Sequence, residues 1–209
     1  MKAHRSHTVL LLATAVFALP ASAQTLESYG VFGGLSRSQS GGGFVALAED
    51  LGGVINPKYG IKLGGFAHFT LAPNTTLRGE MGLAQQGFRI PPENGLRERA
   101  LDVNYLDFAG VVRRSFPQES VTPWVGAGPV ISMRMSADGS VDEVSEDISD
   151  EISGSDFGLA VEVGASREVL DFGLRYVFGL TDINAVSDDA DETIKNRGLA
   201  LTVSYLIPR

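Results

Sequence analysis

The stretch "KYGIKLGGFAHFTL", residues 58–71, decides the fold because its residues alternate with a period of two. One set of positions is apolar: Tyr59, Ile61, Leu63, Ala67, Phe69 and Leu71. The other set is mainly small or charged: Lys58, Gly60, Lys62, Gly64, Phe66, His68 and Thr70. Successive side chains of a strand point to opposite faces, so the stretch is predicted to be a strand. Its apolar face either lines a soluble core or meets lipid around a barrel.

Eight candidate strands share this alternation, and six of them keep the period well. The cleanest is "DFGLAVEVGAS", residues 156–166, in which apolar residues alternate with Gly, Ala and Glu162. The fourth candidate, residues 100–116, changes phase near Tyr105, and the fifth, residues 121–135, is apolar on both faces. We predict a bulge in the fourth candidate and a strand end in the fifth. The facing of these two stays open.

The connections between the candidate strands alternate strictly between short and long. The short ones lie at residues 72–75, 117–120 and 168–171, and the long ones at 39–57, 91–99, 137–155 and 181–196. In an antiparallel meander, all long connections then lie at one end. Outer-membrane barrels have this asymmetry, with long loops outside the cell and short turns in the periplasm. The predicted fold is an all-β, eight-stranded antiparallel up-and-down transmembrane β-barrel with four long extracellular loops.

The N-terminal segment has the features of a secretory signal peptide. Residues 1–23 combine a basic start, a short apolar run and an Ala21-Ser22-Ala23 cleavage site. We expect residues 24–209 to form one barrel domain carrying 15 basic and 25 acidic residues, because the segment removes Lys2 and Arg5 and no acid. This acidic balance makes nucleic acid an unlikely partner. The chain has no cysteine, which excludes disulfides and thiolate chemistry.

The face opposite the apolar one favours a barrel interior over a water-exposed surface. It consists mainly of Gly, Ala and Ser with an occasional charge, which suits the narrow interior of eight strands. Aromatic residues near strand ends predict interfacial girdles: Tyr29, Tyr59, Phe69, Phe157, Phe178 and Tyr205. The alternative is a soluble lipocalin-like barrel that carries an apolar ligand inside.

Several stretches resemble a known family. "TPWVGAGPVISM", "VNYLDFAGVVRRSF", "FGLAVEVGASREV" and "DFGLRYVFGLTDIN" are similar to the outer membrane β-barrel domain family of small porin-like proteins, common in Bacteroidota and their relatives, which includes PorT-type proteins. The resemblance covers essentially the mature chain. It implies a barrel in the bacterial outer membrane and specifies no activity.

Charged residues on the small-residue face predict a charge network inside the barrel. They are Lys62, Arg78, Glu80, Glu162 and Arg175. In a confined interior each charge needs a partner. The alternative is an ion path, which we disfavour because eight strands leave no aqueous channel.

His68 is the only histidine after the predicted signal peptide, and it raises an enzymatic alternative. With Thr70 and Glu80 nearby, it outlines the base, nucleophile and orienting acid of a lipid-modifying outer-membrane hydrolase. However, His68 lies close to the short turn at Pro73 and points inward, away from lipid. We therefore predict no enzyme, with no catalytic residue.

The third long loop, "ADGSVDEVSEDISDEISGSD", holds seven acidic residues between positions 138 and 151. Its acids lack the spacing of a calcium loop, so we predict no metal site and no cofactor. Apolar residues at helical intervals, with Ser140 and Glu143 as a capping box, predict a short helix over the barrel mouth. A similar apolar stretch spans residues 44–51. Charge runs are most often solvated, so we favour solvated surface loops that keep the exterior anionic. The alternative is a loop surface that binds a ligand, a protein or a bridging divalent cation. The barrel is expected to be a monomer with outer-membrane lipid as its partner.

Overall fold

In the computed structural model, residues 25–41, 56–92, 97–141, 144–184 and 193–208 are described. The predicted signal peptide and the apolar stretch at residues 44–51 lie outside these residues. The strands are β1 Thr25–Gly41, β2 Asn56–Ala72, β3 Thr75–Ile90, β4 Arg99–Ser115, β5 Thr122–Val141, β6 Val144–Asp147, β7 Ser155–Arg167, β8 Leu170–Gly179 and β9 Lys195–Pro208.

Eight of these strands close into a ring of antiparallel neighbours. Each strand of the ring pairs with the strands before and after it along the chain, with the short β6 left out. The pairing of β1 with β9 and that of β4 with β5 complete the ring. The predicted eight-stranded up-and-down barrel is therefore confirmed. A closed ring pairs the backbone of every strand and leaves no edge.

The connections alternate in length as predicted. Two-residue turns join β2 to β3 and β7 to β8, and residues 116–121 join β4 to β5. In the two tight turns, Asn74 and Glu168 adopt left-handed conformations, with φ of 57° and 53°. We call the end of the barrel with these turns the short-turn end, and the opposite end the long-loop end.

The apolar side of residues 58–71 lies on the outside of the ring. Tyr59 is 73% exposed and Leu63 is 52% exposed, whereas Lys62 and His68 are only 6% and 8% exposed. The wall of the other strands is apolar in the same way, with Val31, Leu201 and other large side chains exposed. A soluble lipocalin-like barrel would point these side chains inward, so this facing agrees with the membrane alternative.

The predicted bulge lies in a different strand from the one expected. The register between β4 and β5 shifts at one place, where Asn104 pairs with Ser136 and Tyr105 pairs with Arg134. Met135 is the extra residue, so the bulge belongs to β5 and not to the fourth candidate strand. The predicted strand end in the fifth candidate is also wrong, since β5 continues to Val141.

The strand β4 keeps one inner face along its length, and it is the residue types on that face that change. Leu101, Val103, Tyr105, Asp107 and Arg113 are all buried at alternate positions, so one face points inward along the whole strand. This inner face is apolar near the long-loop end and charged near the short-turn end. The outer face changes as well, from polar at Asp102 and Asn104 to apolar at Leu106 and Phe108. The apolar residues of the sequence therefore switch faces near Tyr105, although the strand keeps its facing.

The third long connection forms a β-hairpin where a helix was predicted. Strand β6 pairs with the end of β5, with Val141 opposite Val144, and a single 3-10 turn follows at Ser149–Glu151. Valine and isoleucine favour extended backbone. Val141 and Val144 are three residues apart, which fits a helix in the sequence but also fits the cross-strand pair that they form here. The predicted location is correct, because Ile148 and Ile152 pack over the interior at the long-loop end.

We expect Leu63→Arg to disrupt insertion into lipid, while Leu63→Met is tolerated. Leu63 lies near the middle of the exposed apolar wall, where an arginine costs about 2–4 kcal/mol. Folding into lipid vesicles, followed by the heat-modifiable shift in gel migration, measures the effect. Equal folding of the two variants would show that this wall does not meet lipid.

Candidate functional site in the barrel interior

Six charged side chains fill the interior near the short-turn end and form a closed ring of alternating charge. Three are arginines and three are carboxylates, and each carboxylate contacts two of the arginines. In order around the ring they are Arg78, Glu80, Arg175, Glu162, Arg113 and Asp171. All six are buried. We call this set the charge ring, and its formal charges cancel.

One half of the charge ring is built on three consecutive contacts. Arg78 pairs with Glu80 two residues along the same strand. The Arg175 Nη2 atom lies 2.6 Å from Glu80 Oε2 and also donates to Glu162 Oε1 at 2.6 Å. Glu162 and Arg175 face each other directly across β7 and β8. Glu80 thus adds a second carboxylate to the cross-strand pair of Glu162 and Arg175.

The other half runs through Arg113 and Asp171. Arg113 donates to Glu162 Oε2 at 2.7 Å and to Asp171 Oδ2 at 2.8 Å. Arg78 donates to the same Asp171 oxygen at 3.2 Å, which closes the ring. Because each arginine presents several N–H donors in one plane, it can bridge two carboxylates at once.

Aromatic rings stack on two of the three arginines of the charge ring. The Arg113 guanidinium lies 3.7 Å from the centre of the Trp124 ring, and that of Arg78 lies 3.6 Å from the centre of the Phe66 ring. Trp124 Nε1 also donates to Asp171 Oδ1 at 2.6 Å. Stacking and hydrogen bonding together fix the planes of the guanidinium groups.

Glycine makes room for Trp124. Gly164 is the register partner of Trp124 on β7, and Gly173 follows it on β8. A Cβ atom on Gly164 would collide with the indole ring and with the Phe172 carbonyl. The glycines of the small-residue face therefore leave the space that the indole ring of Trp124 occupies.

Lys62 does not belong to the charge ring and forms a separate pair above it. Its Nζ atom donates to Asp107 Oδ2 at 2.8 Å, and Ser132 donates to Asp107 Oδ1 at 2.7 Å. A cavity of about 40 Å³ borders this pair and is also lined by the polar side chains of Asp156 and Asn196 and by apolar residues such as Val130. That volume holds about two or three water molecules.

Apolar side chains close the interior at the long-loop end. The cluster consists of Phe88, Ile90, Leu101, Val103, Tyr105, Ala137, Ile152 and Ile183. Polar contacts tie it to the layer below, since Asn196 donates to Tyr105 Oη at 3.2 Å and to Asp156 Oδ2 at 2.8 Å. Backbone hydrogen bonds join the third and fourth connections, from Ser153 N–H to the Ile183 carbonyl at 2.7 Å.

His68 lies inside the barrel, and its neighbours differ from those of the predicted hydrolase. Its Nδ1 atom is 3.2 Å from Ser28 Oγ, and its Nε2 atom is 3.4 Å from Arg78 Nη1. Thr70 instead donates to Glu27 at the exposed surface, at 3.1 Å. A catalytic base needs an acid on its second nitrogen, and here that nitrogen meets a guanidinium. The geometry of these residues does not form a catalytic triad.

The structure brings four of the five predicted interior charges into one ring: Arg78, Glu80, Glu162 and Arg175. It also places Asp107, Arg113, Trp124 and Asp171 inside, which the sequence analysis did not single out. Asp107 and Arg113 lie on β4, whose facing was left open, and Asp171 was assigned to a turn. The inward period of Leu101, Val103 and Tyr105, continued along β4, would have found the first two.

Within the described residues, no group of three or more His, Asp or Glu side chains could hold a metal ion. Among these same residues, no helix is long and apolar enough to cross a membrane.

A closed ring of eight strands, apolar outside and filled with charge inside, defines a barrel of the outer-membrane type. The chain belongs to the outer membrane protein beta-barrel domain family, whose sequence model matches residues 9–206. Membership of this family implies the bacterial outer membrane as its location. No curated protein sequence matches the chain.

Several solved barrels are similar in structure. Ail, the attachment invasion locus protein of Yersinia pestis, is 14% identical, with 88% of this chain and 100% of that chain covered and a TM-score of 0.46. Neisserial surface protein A is 17% identical, with 85% and 96% covered and a TM-score of 0.47. The N-terminal barrel domain of Pseudomonas aeruginosa OprF is 7% identical, with 88% and 100% covered and a TM-score of 0.39.

We expect Asp171→Asn to destabilise the barrel by roughly 3 kcal/mol, because it removes the carboxylate that Arg78 and Arg113 share in a buried site. Urea unfolding of the vesicle-inserted protein measures the loss. The emission of Trp124, the only tryptophan, should shift because its hydrogen-bond acceptor changes.

The matched control for this variant is Glu27→Gln, which alters an exposed carboxylate near the same end. Its effect should stay within about 0.5 kcal/mol. If both variants unfold at the same urea concentration, the charge ring does not hold the barrel together.

Proposed function

We propose that this protein is a non-enzymatic outer-membrane barrel whose function lies in its long loops, in an envelope structural or surface-binding role. The observation that carries the proposal is the filled interior. The charge ring closes the short-turn end, and the apolar cluster closes the long-loop end. Among the described residues, the cavity between these two layers has a volume of about 40 Å³, too small for a solute path.

The loops offer the surface that the interior does not. Strands β5 and β6 continue beyond the ring as a hairpin, and the residues of β6 are all exposed. The hairpin and the turn after it carry seven acidic residues between positions 138 and 151. Hydrogen bonds from the Ser149 hydroxyl and backbone N–H hold the pKa of Asp147 below its usual range. A surface ligand, protein or divalent cation would meet these carboxylates first.

We also propose the export, the orientation and the oligomeric state that the sequence predicts. Residues 1–23 are a signal peptide that directs export, residues 24–209 form the barrel, and the long loops face outside the cell. The barrel is monomeric, lies in outer-membrane lipid and binds no nucleic acid. Within its family, the chain groups with the small porin-like, PorT-type proteins of Bacteroidota and their relatives, on the likeness of stretches such as "DFGLRYVFGLTDIN".

A lipid hydrolase centred on His68 is disfavoured by two observations. His68 and Ser28 are both buried inside the barrel, away from the wall. The second ring nitrogen of His68 faces Arg78, which cannot orient a catalytic base.

We expect the purified protein to give no unitary conductance in planar lipid bilayers, because the charge ring and the apolar cluster both block the interior. A 16-stranded porin in the same bilayer serves as the positive control. Regular conductance steps that scale with protein concentration would contradict the sealed interior and favour transport.

We expect a glutamate-specific protease added to intact cells to cleave within the acidic hairpin, at Glu143 or Glu146, and to leave the barrel core intact. Mass spectrometry of the membrane fraction locates the cut. Cleavage only after the outer membrane is permeabilised would place the hairpin in the periplasm and overturn the surface role.

A further inference from the structure

Two arginines project from the outer wall of the barrel toward its long-loop end. Arg37 lies on β1 and Arg197 on β9, and both are exposed. The register pairs Arg37 with Leu199 and Arg197 with Gln39. The arginines are therefore diagonal neighbours on adjoining strands and on the same face, a spacing that long side chains can span.

Aromatic side chains flank the arginine pair on both sides. Tyr59 on β2 is the register partner of Arg37, and Phe178 on β8 is the register partner of Arg197. Both aromatic side chains are exposed. Four consecutive strands thus present an aromatic residue, two arginines and a second aromatic residue side by side. Aromatic girdles of this kind mark the boundary between lipid and water.

The wall directly below the pair is apolar. Leu35 precedes Arg37 on the same face of β1, and Leu199 and Leu201 follow Arg197 on β9. An arginine on a lipid-facing wall costs about 2–4 kcal/mol at the membrane midplane and about 0–1 kcal/mol near the interface. The pair therefore belongs at the level of the lipid headgroups, with acyl chains against the leucines.

Neither arginine has a carboxylate partner within the described part of the chain. The exposed Arg114 instead donates to Thr75 Oγ1 and to the Pro73 carbonyl, and Arg78, Arg113 and Arg175 share the three acids of the charge ring. The Arg197 guanidinium lies beside Gly41, two residues beyond its register partner Gln39 on β1. Two guanidinium groups without carboxylate partners on one face of the wall favour a ligand with several anionic oxygens. Phosphate matches the planar donors of arginine and can bridge two of them.

We propose that Arg37 and Arg197 bind the phosphate of an anionic membrane lipid in the leaflet around the long-loop end, with its acyl chains along Leu35, Leu199 and Leu201. This assignment rests on the part of the proposed function that sets the barrel in a membrane. The leucines beneath the pair distinguish a lipid from free phosphate, which would gain nothing from them.

The test is native mass spectrometry of the full barrel in detergent, titrated with diphosphoryl lipid A. We expect the wild-type barrel to retain the lipid, and the double variant Arg37→Gln/Arg197→Gln to bind it at least about tenfold more weakly. The matched control is Arg167→Gln, which alters an exposed arginine at the opposite end of the wall. Heat-modifiable migration confirms that each variant is folded.

Two further arms identify the ligand. Lipid A stripped of both phosphates should bind the wild type no better than diphosphoryl lipid A binds the double variant, and millimolar inorganic phosphate should not displace the lipid. Equal binding by wild type and double variant, or by both forms of lipid A, would overturn the proposal. Displacement by inorganic phosphate would overturn the assignment to lipid. Conductance and protease accessibility do not depend on these arginines, so a failure here is distinguishable from a failure of the proposed function.

Discussion

The structure depends on one constraint, which is that backbone N–H and C=O groups on a lipid-facing strand must pair with another strand. Lipid offers no hydrogen bonds, so the sheet has to close on itself, and it does so where β1 meets β9 and β4 meets β5. Closure with eight strands leaves an interior only wide enough for side chains. The outward face must then be apolar, and the side chains of the inward face must fill the interior. These two requirements produce the period of two seen along the chain.

The interior is filled in different ways along the barrel axis. Near the short-turn end, charges can be buried because each carboxylate of the charge ring meets two guanidinium groups and the formal charges cancel. A buried ion pair that loses a partner is strongly destabilised, so the alternation around the ring matters more than any single contact. Near the long-loop end, the same face is apolar and takes up side chains from the loops, such as Ile152 and Ile183. A polar layer around Lys62 and Asp107 separates the two.

The sequence predicted the fold because period two, glycine on one face and alternating connection lengths all indicate the same barrel. It also indicated that Glu162 and Arg175 lie inside the barrel, and the structure shows that the two face each other on consecutive strands. It did not indicate that Arg78 meets Asp171, 93 residues away, because that contact depends on how the strands are staggered around the ring. Arg113 was missed for a different reason, since the apolar residues of β4 change phase near Tyr105 and the facing of the strand could not be assigned from the sequence.

Net charge is a poor guide to what this protein binds, because its charges are separated by location. The chain is acidic, with a formal charge of −8, which by composition alone would predict repulsion from anionic lipid. Yet a dense group of carboxylates lies on the hairpin beyond the barrel, while Arg37 and Arg197 lie on the wall itself. Screening at physiological salt acts over about 8 Å, so each surface is governed by the charges near it. The same chain can therefore present an anionic hairpin to solutes and a cationic pair to the headgroups beside its wall.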